Sequence, residues 1–91
     1  MKRVKLGGLL RNACIVAGNT QDPSLLPDLI ALASHPLSLV RAHAVWAVYR
    51  LAGAAAARNL LVDARAKENE PAVLAEYEAA EKVTAVNEPP P

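Results

Sequence analysis

The chain has very little of the chemistry that redox and metal sites require. Its 91 residues include one cysteine, Cys14, which excludes an intrachain disulfide and any metal or iron–sulfur site that needs several thiolates from this chain. No apolar run approaches the roughly 20 residues of a membrane-spanning helix, and no apolar signal-peptide core follows the basic N-terminus. We therefore expect a cytoplasmic protein without membrane contact.

Aromatic residues are also scarce: the chain has Trp46, Tyr49 and Tyr77 and no phenylalanine. Hydrophobic residues nevertheless make up 53% of it, and many of them are alanine. Small apolar residues without β-branched runs favour closely packed helices over strands. Because 91 residues suffice for one modest core, the composition predicts a single all-α domain.

Charge is distributed unevenly along the chain. Residues 1–21 carry four basic side chains and no acid, residues 22–62 have a net charge of +1, and residues 63–91 carry three basic side chains against seven acids. A basic head indicates an anionic partner. On charge alone, an accidental segregation on a solvated surface is the simpler interpretation.

A sequence repeat organises the chain. Residues 9–14 recur at 39–44 with an offset of 30, and a degenerate third copy begins near residues 72–75. Such repeats indicate stacked supersecondary units that bury their apolar faces only against each other. A complete unit has the pattern of two helices, and the chain holds about two and a half such pairs, which gives about five helices in all.

Proline and glycine mark the expected helix boundaries. In chain order we expect a helix over Leu6–Gly18, a turn at 19–21, a start at Asp22-Pro23, a break at His35-Pro36, a helix from Ser38 to about Ala52, a C-cap at Gly53, one helix over 54–67 and a restart at Glu70-Pro71. The predicted organisation is a basic linker over 1–8, a repeat domain over 9–83 and a proline-rich disordered tail over 84–91.

The helix from Ser38 is predicted to be sandwiched between neighbours, because it is apolar on two sides. One stripe consists of Val40, Ala44, Ala47, Val48 and Leu51, and Trp46 and Tyr49 lie opposite.

These motifs resemble HEAT-type repeats, which place a proline inside the first helix and a Val-Arg pair early in the second. The residues that carry the resemblance are Leu26-Pro27, the run His35-Pro36-Leu37-Ser38-Leu39-Val40-Arg41, Ala44 and Ala47. The resemblance implies a short α-solenoid of HEAT-like helical hairpins over residues 9–82, and by itself it says little about function.

A closer resemblance, over residues 2–53, is to the C-terminal domain of epoxyqueuosine reductases. It rests on Lys2-Arg3-Val4-Lys5-Leu6, Gly8-Leu9-Leu10-Arg11-Asn12-Ala13, Gly18-Asn19, Asp22-Pro23, His35-Pro36-Leu37, the run from Leu39 to Ala44, and Trp46-Ala47. Beyond Gly53 only generic repeat character remains.

The resemblance implies a parent enzyme, an oxidoreductase that reduces epoxyqueuosine to queuosine at the wobble position of certain tRNAs. Those enzymes use cobalamin and two 4Fe-4S clusters, all held in an N-terminal catalytic portion that this chain lacks. The repeat domain of the family helps to hold the tRNA anticodon stem-loop. This chain is therefore expected to be a non-catalytic, RNA-contacting C-terminal piece of such an enzyme.

Candidate RNA-binding residues follow from charge, spacing and the resemblance, and no catalytic residue or metal ligand stands out. The candidates are Lys2, Arg3, Lys5, Arg11, Asn12, Arg41, His43, Trp46 and Arg50. Basic side chains neutralise RNA phosphates, and aromatic or guanidinium planes stack on unpaired bases.

Each candidate also has a structural alternative. The four basic residues before Asn12 fit a linker without a ligand, and Asn12 itself can bond the backbone. Arg41 fits an arginine that bonds the preceding turn or an acid of a neighbouring unit. The face shared by His43, Trp46 and Arg50 can pack on the preceding helix instead, with Arg50 at the helix C-terminus. The whole chain then serves as a protein–protein scaffold.

Overall fold

The computed structural model describes residues 12–87, and the side chains of residues 12–82. Over that range the chain forms helices and no strands, which confirms the all-α prediction. In chain order the elements are α1, which covers residues 12–20, a short 3-10 helix Pro23–Leu25, α2 Leu26–Leu32, α3 Ser38–Ala52, α4 Ala54–Leu60, α5 Val62–Lys67 and α6 Pro71–Asn87.

Three predicted boundaries form through local chemistry. The Asp22 carboxylate accepts hydrogen bonds from the backbone N–H and the hydroxyl of Ser24, at 3.0 and 2.7 Å, and so caps the turn that Pro23 begins. After α2, the N–H of Leu37 donates to Nδ1 of His35 at 3.0 Å. Gly53 ends α3 with a φ of +83°, a conformation that glycine adopts without strain.

Two boundaries differ from the predictions at the ends of the described chain. Helix α1 continues into the expected turn as far as residue 20. Of the turn residues 19–21, only Gln21 adopts a positive φ, of 59°. Helix α6 continues to Asn87, so residues 84–87 are helical although the predicted tail begins at 84. No proline or glycine lies between Pro71 and Pro89, so nothing in that stretch interrupts the helix.

The helix predicted over 54–67 is divided in two at Leu61, whose φ of −104° departs from helical values. The hydrogen bonds across the break are kept: Leu61 donates to the Ala57 carbonyl, and Arg65 donates to the Leu61 carbonyl. Leu61 is buried, whereas its neighbours Leu60 and Val62 are exposed. No proline or glycine marks this position, so the sequence carried no signal for the break.

Helix α3 lies at the centre of the core, packed against α2, α4 and α6. Both of its apolar sides are used, which confirms the predicted sandwich. Fully buried positions on α3 are Val40, Ala44, Val45, Ala47 and Val48, and the surrounding helices bury Cys14, Leu29, Ala33, Ala57, Leu61, Val73 and Tyr77. Burial also raises the pKa of the Cys14 thiol, which agrees with an inert core cysteine.

Two buried tyrosines join the second unit to the third. The rings of Tyr49 and Tyr77 pack edge to face, with their centroids 6.5 Å apart. The Tyr49 hydroxyl donates to the Glu81 carboxylate at 2.8 Å. Burial, followed by that hydrogen bond, raises the pKa of Tyr49 to about 12, and burial raises the pKa of Tyr77 too.

Within the described residues, no helix combines the length and the apolar character that crossing a membrane would require.

Alkaline titration tests the tyrosine packing, because the chain has no other tyrosine. Both folded pKa values lie above the ordinary value, so this contribution to stability is fully present below about pH 10 and is lost as the pH rises through the folded values. The near-ultraviolet phenolate absorbance of the folded chain should therefore rise only above the ordinary pKa of tyrosine, and the Tyr49 part of the rise should come at about pH 12. The urea-unfolded chain is the control and should titrate near pH ~10; a folded chain titrating there would contradict the packing.

Candidate functional site

The second helices of the three units, α1, α3 and α6, share one groove. Its volume is about 350 Å³, and its described lining is Ile15 and Asn19 from α1, Ala42, His43 and Trp46 from α3, and Glu76 from α6. Ligand-binding clefts in proteins begin at about 300 Å³, so the groove is large enough for a small planar group. It is the feature that we call the second-helix groove.

Trp46 lies on α1 because residue 18 is a glycine. A Cβ built on Gly18 would lie 2.5 Å from Cζ3 of the indole, well inside contact distance. The Gly18 backbone therefore admits the Trp46 ring where any other residue would push it away. Of the described helices, α1 and α3 are thus joined by a ring that also forms one wall of the groove.

Arg50 and His43 flank the indole along α3. The guanidinium carbon of Arg50 lies 5.7 Å from the centroid of the Trp46 ring, which is a cation–π contact. Nδ1 of His43 lies 2.9 Å from the Leu39 carbonyl. Because a carbonyl only accepts, this bond requires the proton on Nδ1, and Nε2 is left as an acceptor. The predicted face of His43, Trp46 and Arg50 does come together, although Trp46 also makes the packing contact of the structural alternative.

Arg41 makes the contacts that its structural alternative predicts. Its guanidinium donates to both carboxylate oxygens of Glu68, from Nε at 2.9 Å and from Nη2 at 3.1 Å. Nη1 donates to the carbonyls of His35 and Pro36 at 2.9 and 3.0 Å. These contacts are the structural alternative, in both of its forms. Four of the five guanidinium N–H groups are engaged in this way, and one N–H of Nη2 is left.

The remaining candidates divide between described and undescribed residues. Asn12 and Arg50 are exposed, and His43 and Trp46 are partly buried. Lys2, Arg3, Lys5 and Arg11 lie outside the described residues, so their predicted role stays a prediction.

Sequence reasoning did not single out Asn19 and Glu76 as groove residues, or Gly18 as the contact of the Trp46 ring. The repeat held a signal for Glu76, because an offset of 33 aligns it with His43. Two acids of the third unit bond other side chains. Glu68 is nearly buried in its ion pair, with 3% of its side chain exposed, and Glu81 bonds Tyr49 and Arg58.

A second depression, of about 320 Å³, lies between α4, α5 and α6. Arg58 donates two hydrogen bonds to Glu81, at 2.8 and 2.9 Å, and they lower the pKa of that carboxyl. Arg65 lies over the Tyr77 ring, 5.3 Å from its centroid. The arrangement ties α6 to the first helices of its unit. Nowhere in residues 12–82 do three or more histidine, cysteine or acidic side chains cluster as metal ligands would.

Comparison with protein families agrees with this architecture. A family model described as HEAT repeats matches residues 8–81. The chain belongs to the HEAT-repeat family. Comparison with curated proteins and with solved structures gave no significant match. In a HEAT-repeat solenoid each unit is stabilised by its neighbours. Here α3 of the second unit packs against α4 and α6 of the third.

Replacing Gly18 tests the Trp46 contact. Glycine to alanine inside a helix ordinarily stabilises by roughly 1 kcal/mol, but Gly18→Ala should instead destabilise by about 1–3 kcal/mol, because the new Cβ overlaps the indole. The free energy of unfolding in urea, followed by circular dichroism, measures the change. In a Trp46→Ala background the same substitution should become stabilising. A Gly18→Ala protein more stable than the unsubstituted chain would contradict the contact.

Proposed function

We propose that this HEAT-repeat module is the tRNA-binding accessory domain of an epoxyqueuosine reductase. In this proposal the parent enzyme reduces epoxyqueuosine to queuosine at the wobble position. The module contributes contacts to the anticodon stem-loop and no catalytic group. The resemblance of residues 2–53 to that domain motivates the choice of parent.

One observation carries the proposal for RNA: the single tryptophan of the chain, with Arg50 beside it, forms the wall of an open groove. Proteins recognise unpaired RNA bases largely by stacking them on aromatic rings and guanidinium planes. An anticodon loop is a single-stranded segment with bases available for such stacking. The groove supports RNA better than a smooth helical surface would.

Charge adds a second, independent support. The first 21 residues contain four basic side chains, Lys2, Arg3, Lys5 and Arg11, and no acid. A segment of this kind suits the phosphate backbone, whose neutralisation dominates the affinity of most protein–RNA complexes. The four basic residues would then contact phosphates and position the RNA, whereas the groove would contact a base.

The cofactors of such a parent enzyme do not fit this chain. A 4Fe-4S cluster takes four thiolates, whereas Cys14 is the only cysteine and is fully buried in the core. The clusters, and the reduction itself, would therefore belong to the missing N-terminal catalytic portion. Cobalamin would be held there as well.

Neutralising the four basic residues Lys2, Arg3, Lys5 and Arg11 tests the proposal. A labelled anticodon stem-loop of a tRNA that carries queuosine should bind the chain at low salt, as measured by fluorescence anisotropy. Changing Lys2, Arg3, Lys5 and Arg11 to glutamine should weaken binding and reduce the slope of log affinity against log salt by about 3, at about 0.7 per charge. Lys67→Gln with Lys82→Gln, in the acidic third unit, is the matched control and should leave the slope unchanged.

If the unsubstituted chain does not bind the stem-loop at low salt, the proposal is contradicted. An unchanged salt slope in the quadruple variant would contradict it too. The reading frame around the segment is an independent check. Cysteines spaced for iron–sulfur ligation upstream would support it, and a long run of further repeats would favour a scaffold.

A protein–protein scaffold is the second candidate function, and exposed apolar side chains favour it. Val16 on α1 is 61% exposed and Leu39 on α3 is 48% exposed. Exposed apolar residues of this size are suited to contact with a protein partner. This function predicts binding that responds neither to salt nor to added tRNA.

A further inference from the structure

The second-helix groove carries an acid, Glu76, that no described side chain neutralises. Glu76 lines the groove from α6 and is partly buried. Among the described residues, no side chain forms a hydrogen bond or an ion pair with its carboxylate. Two other acids of the third unit are engaged, Glu68 by Arg41 and Glu81 by Arg58. A half-buried, unpaired carboxylate is an acceptor available to a ligand.

The other polar groups of the groove also accept. Nε2 of His43 is an acceptor once Nδ1 donates to Leu39. Asn19 contributes one amide, which both donates and accepts. The walls are apolar or aromatic: Ile15, Ala42 and Trp46. A fitting ligand is therefore planar and presents N–H donors along one edge.

Two kinds of ligand are disfavoured by charge. A phosphate inside the groove would face the Glu76 carboxylate, so the phosphates of a bound strand belong outside it. An arginine side chain of a protein partner would offer N–H donors and a plane, but Arg50 already lies over Trp46. A second guanidinium there would meet like charge.

We propose that the second-helix groove takes one unpaired nucleobase and prefers guanine. The plane of the base packs against Trp46, and its Watson–Crick edge donates to Glu76. Guanine alone among the four bases presents two adjacent donors, N1–H and the N2 amino group, which match the two oxygens of one carboxylate. Uracil presents one N–H between two carbonyls, which a carboxylate repels. The inference rests on the proposed RNA function and adds a base preference to it.

The fluorescence of Trp46 reports directly on the groove, because the chain has no other tryptophan. Single-stranded RNA pentamers with four uridines and one variable central base are titrated into the whole chain. Central guanine should quench the emission and bind about tenfold more tightly than central inosine, which lacks the N2 amino group, or than uridine. Glu76→Gln should remove most of that preference. Glu78→Gln, an exposed acid on the same helix, is the matched control and should keep it.

The outcomes separate this inference from the proposed function. If the stem-loop and the pentamers bind with a salt dependence but without quenching or base preference, the base site is wrong and the RNA function stands. If Glu76→Gln leaves the preference intact while circular dichroism shows a folded chain, the assigned acceptor is wrong. If no RNA binds, and an arginine-containing peptide quenches Trp46 instead, both proposals are wrong.

Discussion

Arg41 bonds two other parts of the chain, and the stacking of the units depends on these contacts. From its place on α3 it bonds the carbonyls of His35 and Pro36 in the preceding turn, and the carboxylate of Glu68 just before α6. Glu68 also accepts from the N–H of Glu70, at the start of that last helix. Since the carboxylate is almost fully shielded from water, it is tolerable only while Arg41 is present.

The groove is a consequence of that stacking. Once α3 is packed against its neighbours, His43 and Trp46, which lie one turn apart on α3, line a space between α1 and α6. Gly18 lets the Trp46 ring approach α1, and Glu76 lines the groove from α6. The same core that makes a HEAT-repeat solenoid thus produces a cleft with an aromatic wall and an acid that has no partner among the side chains of residues 12–82.

Local chemistry explains which features the sequence predicted. Asp22-Pro23, His35-Pro36 and Gly53 act on the backbone within a few residues, so their effects are legible without a fold. The break at Leu61 and the ion pair of Glu68 depend on which helices meet, and a single sequence does not contain that information. The candidate site divides in the same way: helical spacing predicted the shared face of His43, Trp46 and Arg50, and the repeat offset aligns Glu76 with His43. The contact of Gly18 with the Trp46 ring became recognisable only once the helices lay together.

A double-mutant cycle between Arg41 and Glu68 tests most directly whether their contact fixes the units. The free energy of unfolding in urea would be measured for Arg41→Met, Glu68→Gln and the double variant. Each single change should cost about 3 kcal/mol, because it leaves a buried polar group without its partner. The double variant should recover about 2 kcal/mol of the summed loss. Additive effects, with a coupling below about 0.5 kcal/mol, would contradict the account.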